Sequence, residues 1–300
     1  RDPVLFHALG LFTATFFYAI GTLAWIDRGG NGTVPLFSVI LVTVLLILSM
    51  MVFAKLVQRL NDIQITNVLH FVGQQGREVI RAMFPRLDAP AGAALESWQA
   101  AVETVRQHPV TQTLRYSGEP QAVTQLQIAA LVGQAQAVDA VIVMECAVGD
   151  TLVDDTLLLR VYGGRQPLTE IPLRRAIRMA RERTFEQDPK YPLRLLVDIA
   201  IKALSPAIND PTTAVQALDQ IEDLLRRLGR RALDAGCVRD DRGDLRLVFP
   251  TPTWEDYLTL AFDEIRQYGA SSVQVIRRLR SALVGLADSV TEAERKEGVQ

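Results

Sequence analysis

Two long runs without formal charge open the chain. Val4 to Ile26 contains no Asp, Glu, Lys or Arg, has His7 as its single histidine, and carries Tyr18 and Trp25 towards its end. At a helical rise of about 1.5 Å per residue it is long enough to cross a hydrocarbon core of about 30 Å, and Trp25 marks an interface. Asp27 to Pro35 reads as a short polar turn, and Leu36 to Ala54 is a second uncharged run. The pair predicts a transmembrane helical hairpin over residues 1–56. Two spans in succession, the first too long for a simple signal-peptide core, argue against a cleaved leader. Gly10, Ala14, Gly21 and Ala24 offer small surfaces for helix contact.

The pattern then changes. Leu56, Leu60, Ile63, Val68, Leu69, Val72, Val79, Ile80 and Met83 recur at helical spacing, which predicts that the second span continues as an amphipathic stalk. Gly73 and Gly76 are expected to bend or break it. Its stripe could line a pore vestibule, form an oligomer seam, or pack on the soluble domain. Pro85 to Gly92 reads as a linker, and Ala93 to Gln107 as a helix with Leu95, Trp98, Val102 and Val105 on one side, so the stalk and linker helix occupy 57–109.

Residues 110–165 read as a small β-rich subdomain. Val110 to Tyr116 and Gln121 to Thr124 have strand character, Thr124 to Val138 is expected to be a helix, and Ala140 to Cys146 is a near-continuous apolar run suited to a buried strand. Gly149 to Tyr162 adds a tight turn and another strand, as small barrels and sandwiches do. No lysine sits at a hairpin tip to carry a lipoyl or biotinyl group. Residues 166–300 read as mainly helical. Ile171 to Arg183 is expected to be a helix on which Arg174, Arg178 and Arg181 share a face, either to contact an anion or lipid headgroup or as a solvated, ion-paired surface. A helix over Pro211 to Asp234, a hairpin at 237–249 around Asp240-Asp241-Arg242-Gly243-Asp244, and helices starting at Thr253 and at Ser271 or Ser272 complete the chain, ending in a charged tail from Glu292 to Glu297. The acid cluster of the hairpin reads as a polar turn, with a bound cation as the alternative.

Composition agrees with lipid as one solvent: 49% of the 300 residues are hydrophobic, and the mean hydropathy is +0.14. A net charge of −2 gives no global basic field, so nucleic acid is not an expected partner. Cys146 and Cys237 lie far apart, and His7, His70 and His108 are scattered, without the spacing of a disulfide framework or a metal site. Lys55, Arg59, Arg77, Arg81 and Arg86 follow the second span and Arg1 precedes the first, whereas the connecting turn carries one acid and one base. That bias places both ends of the hairpin on the cytoplasmic side.

The densest local signal runs from Leu195 to Ala214. An apolar helix carrying Asp198 meets Ser205-Pro206, makes about one turn, and restarts at Asn209-Asp210-Pro211. Proline suits the first position of a helix, so Ser205 and Asp210 are predicted N-caps. Two helix starts this close would aim unpaired N–H groups at one small volume able to hold an anion, or would form a capped corner in the core. Arg194 and Lys202 flank Asp198 at i−4 and i+4, so a surface ion-pair ladder explains that acid without catalysis. Arg183, Asp188, Asp198, Ser205, Asn209, Asp210 and Thr212 are the candidate cluster, for a ligand or for structure alone. No nucleophile–base pair, metal spacing or phosphate loop is present, and neither a catalytic residue nor a cofactor is expected; enzymatic activity is the least favoured reading.

The segments 183–189 (Arg-Thr-Phe-Glu-Gln-Asp-Pro), 198–214 and Ala261-Phe262-Asp263-Glu264-Ile265-Arg266 resemble a family of bacterial predicted membrane proteins, domain of unknown function 2254, over nearly the whole chain. The resemblance implies four spans in two pairs, of which this chain matches the later pair and the C-terminal cytoplasmic domain, so an N-terminal portion is expected to precede it. It implies no reaction or ligand. The expectation is therefore an α+β membrane protein of the bacterial inner membrane: a transmembrane helical hairpin followed by a cytoplasmic domain with a small β-sheet or barrel and a helical C-terminal half. It would be a homo-oligomeric channel or transporter-like assembly in the lipid bilayer, or else a membrane-anchored scaffold or accessory subunit of other membrane proteins.

Overall fold

The computed structural model describes residues 3–28, 36–62, 65–87 and 98–290, with Arg295, Gly298 and Val299. The connecting turn beyond Arg28, most of the expected linker, the start of the helix expected at Ala93 and most of the charged tail lie outside them. The chain divides into two units, Arg1–Val68 and Leu69–Gln300.

In the first unit, α1 (Pro3–Arg28) and α2 (Leu36–Asp62) pack side by side and antiparallel. Thr15 Oγ1 meets Ser49 Oγ at 3.1 Å, and the Phe12 and Phe53 rings meet edge to face at 6.5 Å. The hydroxyls of Thr13, Thr15, Thr22 and Thr43 donate to carbonyls one turn earlier. These polar groups are thus satisfied within the helix pair, as a lipid environment requires. Outward positions are apolar and bare, among them Phe17, Leu23, Phe37 and Met50. Leu36–Lys55, with a mean hydropathy of 2.9, is the one helix among the described residues long and apolar enough to cross a membrane by length and composition.

The second unit is mixed α and β. Its larger sheet has the order β1-β5-β3-β8-β7, from β1 (Val110–Arg115), β5 (Leu157–Gly163), β3 (Ala140–Met144), β8 (Leu245–Val248) and β7 (Cys237–Arg239). All neighbours are antiparallel except β3 and β8, which run parallel with Ile142 opposite Leu247. A second sheet has the order β4-β2-β6, from β4 (Thr151–Leu152), β2 (Gln121–Leu126) and β6 (Ile177–Ala180). Both sheets are open, so the β layer is not a closed barrel. β3 is apolar at consecutive positions because both its faces are covered. Ile142 and Met144 enter the core shared with α5 (Ile128–Val138), while Val143 packs with Val102 and Val105 of α4 (Trp98–Val105). The helix expected from Thr124 begins only at Ile128, because Thr124 to Leu126 extend β2 against β6.

The helical layer is built around α8 (Pro211–Leu228), whose buried face runs from Thr213 and Ala214 through Leu218, Ile221 and Leu225 to Leu228. α7 (Lys190–Ala203), α9 (Trp254–Tyr268) and α10 (Val273–Ser289) pack on it. The part of α3 (Ile65–Met83) in this unit runs unbroken through Gly73 and Gly76. A Cβ at Gly73 would come within 2.2 Å of Gln220 Oε1, and one at Gly76 within 2.6 Å of Leu224 Cδ1. These glycines therefore let α3 approach α8 closely instead of bending the helix, and Arg77 donates to Asp223 at 3.1 Å across the contact. Leu69, Val72, Val79 and Ile80 are buried there, so this part of the stripe packs on its own domain.

Candidate functional site

The best-built polar site lies at the start of α7. Arg183 donates from Nε to Asp188 Oδ2 at 2.7 Å and from Nη2 at 2.6 Å, while Asp188 Oδ1 accepts the Tyr191 N–H at 3.1 Å. Asp188 is 2% exposed and Arg183 27%. Burial pushes the Asp188 pKa up; the Arg183 charge and hydrogen bond, and the backbone N–H groups of Tyr191 and Lys190, oppose it. The guanidinium also lies over the Tyr191 ring at 5.1 Å, and Phe185 meets Tyr191 at a tilt and Phe71 edge to face. Gln187 pairs with the N–H and C=O of Leu126, fastening the loop to β2.

Gly149 closes the other side. Its φ is +95°, and a Cβ there would stand 2.5 Å from Asp188 Oδ2 and 2.9 Å from Arg183 Nη2. Only glycine meets both demands. Tyr257 of α9 is fully buried, its hydroxyl has no hydrogen-bond partner among the described residues, and burial followed by the Asp188 charge raises its pKa, so it stays a neutral phenol. Sequence reasoning gave Gly149 only a turn and passed over Tyr257. Their signals were a glycine ahead of a strand and an aromatic residue on the inward stripe of α9.

The remaining candidates do not join this group. Asp188 precedes α7 and Ser205 follows it, so the helix separates them by about 20 Å at about 1.5 Å per residue. In the middle, Arg194 donates to Asp198 Oδ1 at 2.8 Å and also engages Glu264 of α9, whose pKa it pulls down. Asp198 is therefore an exposed acid paired with Arg194, the i−4 half of the expected ladder; among the described residues Arg194 is shared with Glu264, and the expected Lys202 contact is not formed. At the far end Asp210 caps α8: Oδ1 accepts the N–H groups of Thr212 and Thr213 at 3.1 Å, and Oδ2 accepts the Thr213 hydroxyl at 2.6 Å. The Thr213 hydroxyl and these amides pull the Asp210 pKa down.

Ser205 is not an N-cap. Its hydroxyl donates to the Lys202 carbonyl at 2.7 Å, closing the end of α7, and Pro206 to Ile208 form a turn instead of a helix. Asn209, at φ 49°, returns the chain so that the Asp210 N–H reaches Ala203 O at 2.8 Å. Only one helix starts here, and its own cap fills the N–H groups that an anion would use.

The expected arginine face is also absent. α6 (Glu170–Arg175) ends before Ile177, where the alternation of Ile177, Arg178 and Met179 becomes β6. Arg174 binds Glu170 and the Arg115 carbonyl, Arg178 lies on the strand opposite Gln125, and Arg181 lies 3.6 Å from Glu119. The acid cluster of the β7–β8 hairpin holds a cation from within the chain: Arg246, 7% exposed, donates to Asp139, Asp240 and Asp244 at 2.9, 2.7 and 3.1 Å. No group of three His, Cys, Asp or Glu side chains able to hold a metal occurs among the described residues.

A long apolar helix in one unit and an α+β second unit whose conspicuous polar residues are tied to one another define a predicted membrane protein. The chain belongs to the predicted membrane protein family DUF2254, which matches residues 1–284. It is 29% identical to the uncharacterised proteins Rv1290c of Mycobacterium tuberculosis and Mb1321c of Mycobacterium bovis, over 315 aligned positions that cover 100% of this chain and 58% of each relative. The chain thus spans little more than half the length of these curated relatives. No solved structure matches it.

Proposed function

We propose that α1 and α2 cross the bacterial inner membrane as a hairpin with both ends on the cytoplasmic side, that the second unit lies in the cytoplasm, and that copies assemble into a channel or transporter-like complex. The observation that carries this reading is the surface of the helix pair. Its hydroxyls are satisfied internally, while Phe17, Leu23, Phe37 and Met50 stand bare around it. Water would not tolerate that surface; acyl chains or further apolar helices would. Two helices cannot enclose a path, so a path needs helices from other copies or from other membrane proteins.

The full-length protein in liposomes should pass ions under voltage, tension or a pH gradient. A tight seal from an intact, correctly inserted preparation refutes conduction. Cleavage of the second unit by protease added outside intact cells refutes the topology.

A further inference from the structure

The segment Ala261 to Arg266 carries part of the family resemblance, and its residues divide by face. Ala261 and Ile265 are buried in the core and Glu264 serves Arg194, but Phe262 and Arg266 turn to a groove between α9 and α10. The groove has a volume of about 540 Å³, within the range of about 300–1,000 Å³ usual for small-ligand clefts. Its wall is apolar, from Phe262, Leu279, Leu283, Val284, Ala287 and Val299, and two guanidiniums, Arg266 and Arg280, are its only charged lining among the described residues. Both arginines lie towards the α9–α10 connection, in the last turn of α9 and the second turn of α10, whereas Leu283, Val284 and Ala287 lie further along α10. Arg266 reaches Asp263 only at 3.9 Å, and Arg280 has no ion-pair or hydrogen-bond partner among the described residues.

We propose that this groove binds a long-chain fatty acid, its carboxylate between Arg266 and Arg280 and its alkyl chain along Leu283, Val284 and Ala287. Charge complementarity selects the occupant: two guanidiniums whose one acidic neighbour among the described residues, Asp263, stands 3.9 Å from Arg266, continued by an apolar trough, match an anionic head on a hydrocarbon tail. A second copy docked through the same groove about a two-fold axis would bring its own arginines against these two, with no acid among the described lining residues to offset them. The site is separate from the Arg183–Asp188 pair and does not depend on ion conduction.

The test uses the full chain in nanodiscs of neutral phosphatidylcholine, incubated with hexadecanoate and examined by native mass spectrometry. The wild type should hold hexadecanoate at one molecule per copy, and hexadecanol, with the same tail and no charge, should bind at least about tenfold more weakly. The double variant Arg266→Glu/Arg280→Glu and the groove-filling Ala287→Trp should each lose at least about tenfold in binding with an unchanged melting temperature. Equal binding of hexadecanol and hexadecanoate by the wild type overturns the proposal without recourse to any variant. So does undiminished binding by a folded Ala287→Trp, or a Val284→Cys disulfide between copies that shows a second chain already seated there.

Discussion

Replacing Asp188 with alanine removes the only acid that the Arg183 guanidinium pairs with among the described residues, and one acceptor of the Tyr191 N–H. Breaking a fully buried ion pair costs about 3–5 kcal/mol, because the surviving charge is left uncompensated. Arg183 is 27% exposed and recovers some water, which brings the expected cost to about 2–3 kcal/mol. For a unit of this size, about 2–4 °C per kcal/mol translates that into a melting temperature lower by about 4–12 °C. Asp188→Asn keeps an acceptor for Tyr191 and loses the charge, so it should fall between wild type and alanine. The decisive measurement is a thermal-melt cycle of wild type, Asp188→Ala, Arg183→Ala and the double variant. Because each single change strands the other group, the double variant should be less destabilised than the sum of the two by about 1–3 kcal/mol. Additive effects, or an Asp188→Ala protein that melts within about 2 °C of wild type, would refute the view of this pair as a buried clasp.

Three further outcomes follow from the same geometry. Burial pushes the Cys146 thiol up to about 12, so at about pH 8 a thiol reagent should label Cys146 only after unfolding. Its folded pKa lies above the ordinary thiol value of 9.0, so its contribution to stability is complete below that pH and fades as pH climbs towards 12; a Cys146→Ala variant should lack this loss in a pH series of denaturant melts. Asp210→Ala strips the cap from α8 and should cost about 0.5–2 kcal/mol in denaturant unfolding, while Ser205→Ala, which touches only the end of α7, should cost less. Arg246→Met leaves Asp139, Asp240 and Asp244 facing one another without a cation; it should loosen the β7–β8 hairpin, and hydrogen exchange at Val238 and Leu247 should accelerate more at low salt than at high salt.

What was legible in the sequence was local. The α8 cap could be read because Asn-Asp-Pro combines a side-chain acceptor with a residue suited to the first helical position. Ser205-Pro206 carries the same letters, but Asn209 must turn the chain back to Ala203, and that demand comes from the packing of α7 on α8. The arginines from 174 to 181 fit a helical spacing as well as the alternation of a strand; pairing with β2, more than fifty residues earlier, decides between them. Gly73 and Gly76 look like breaks until Gln220 and Leu224 occupy the space that their missing side chains leave. The acids at 240 and 244 gave no sign of their cation, because Arg246 sits in a strand otherwise read by its apolar neighbours. The Arg183–Asp188 contact was anticipated only as membership in a cluster, and its closure by Gly149 depends on a turn far upstream.

The parallel pairing of β3 with β8 also sets a timetable. Ile142 and Val143 leave the ribosome roughly a hundred residues before Leu247 and Val248, an interval of about 5–20 s at bacterial elongation rates of about 5–20 residues per second. For that time the nascent chain presents a bare, valine-rich strand edge, able to recruit any other extended segment nearby. On the proposed topology the earlier helices would already sit in a membrane and keep neighbouring nascent chains apart, so a fragment starting near Leu69 should aggregate more readily during translation than the whole chain.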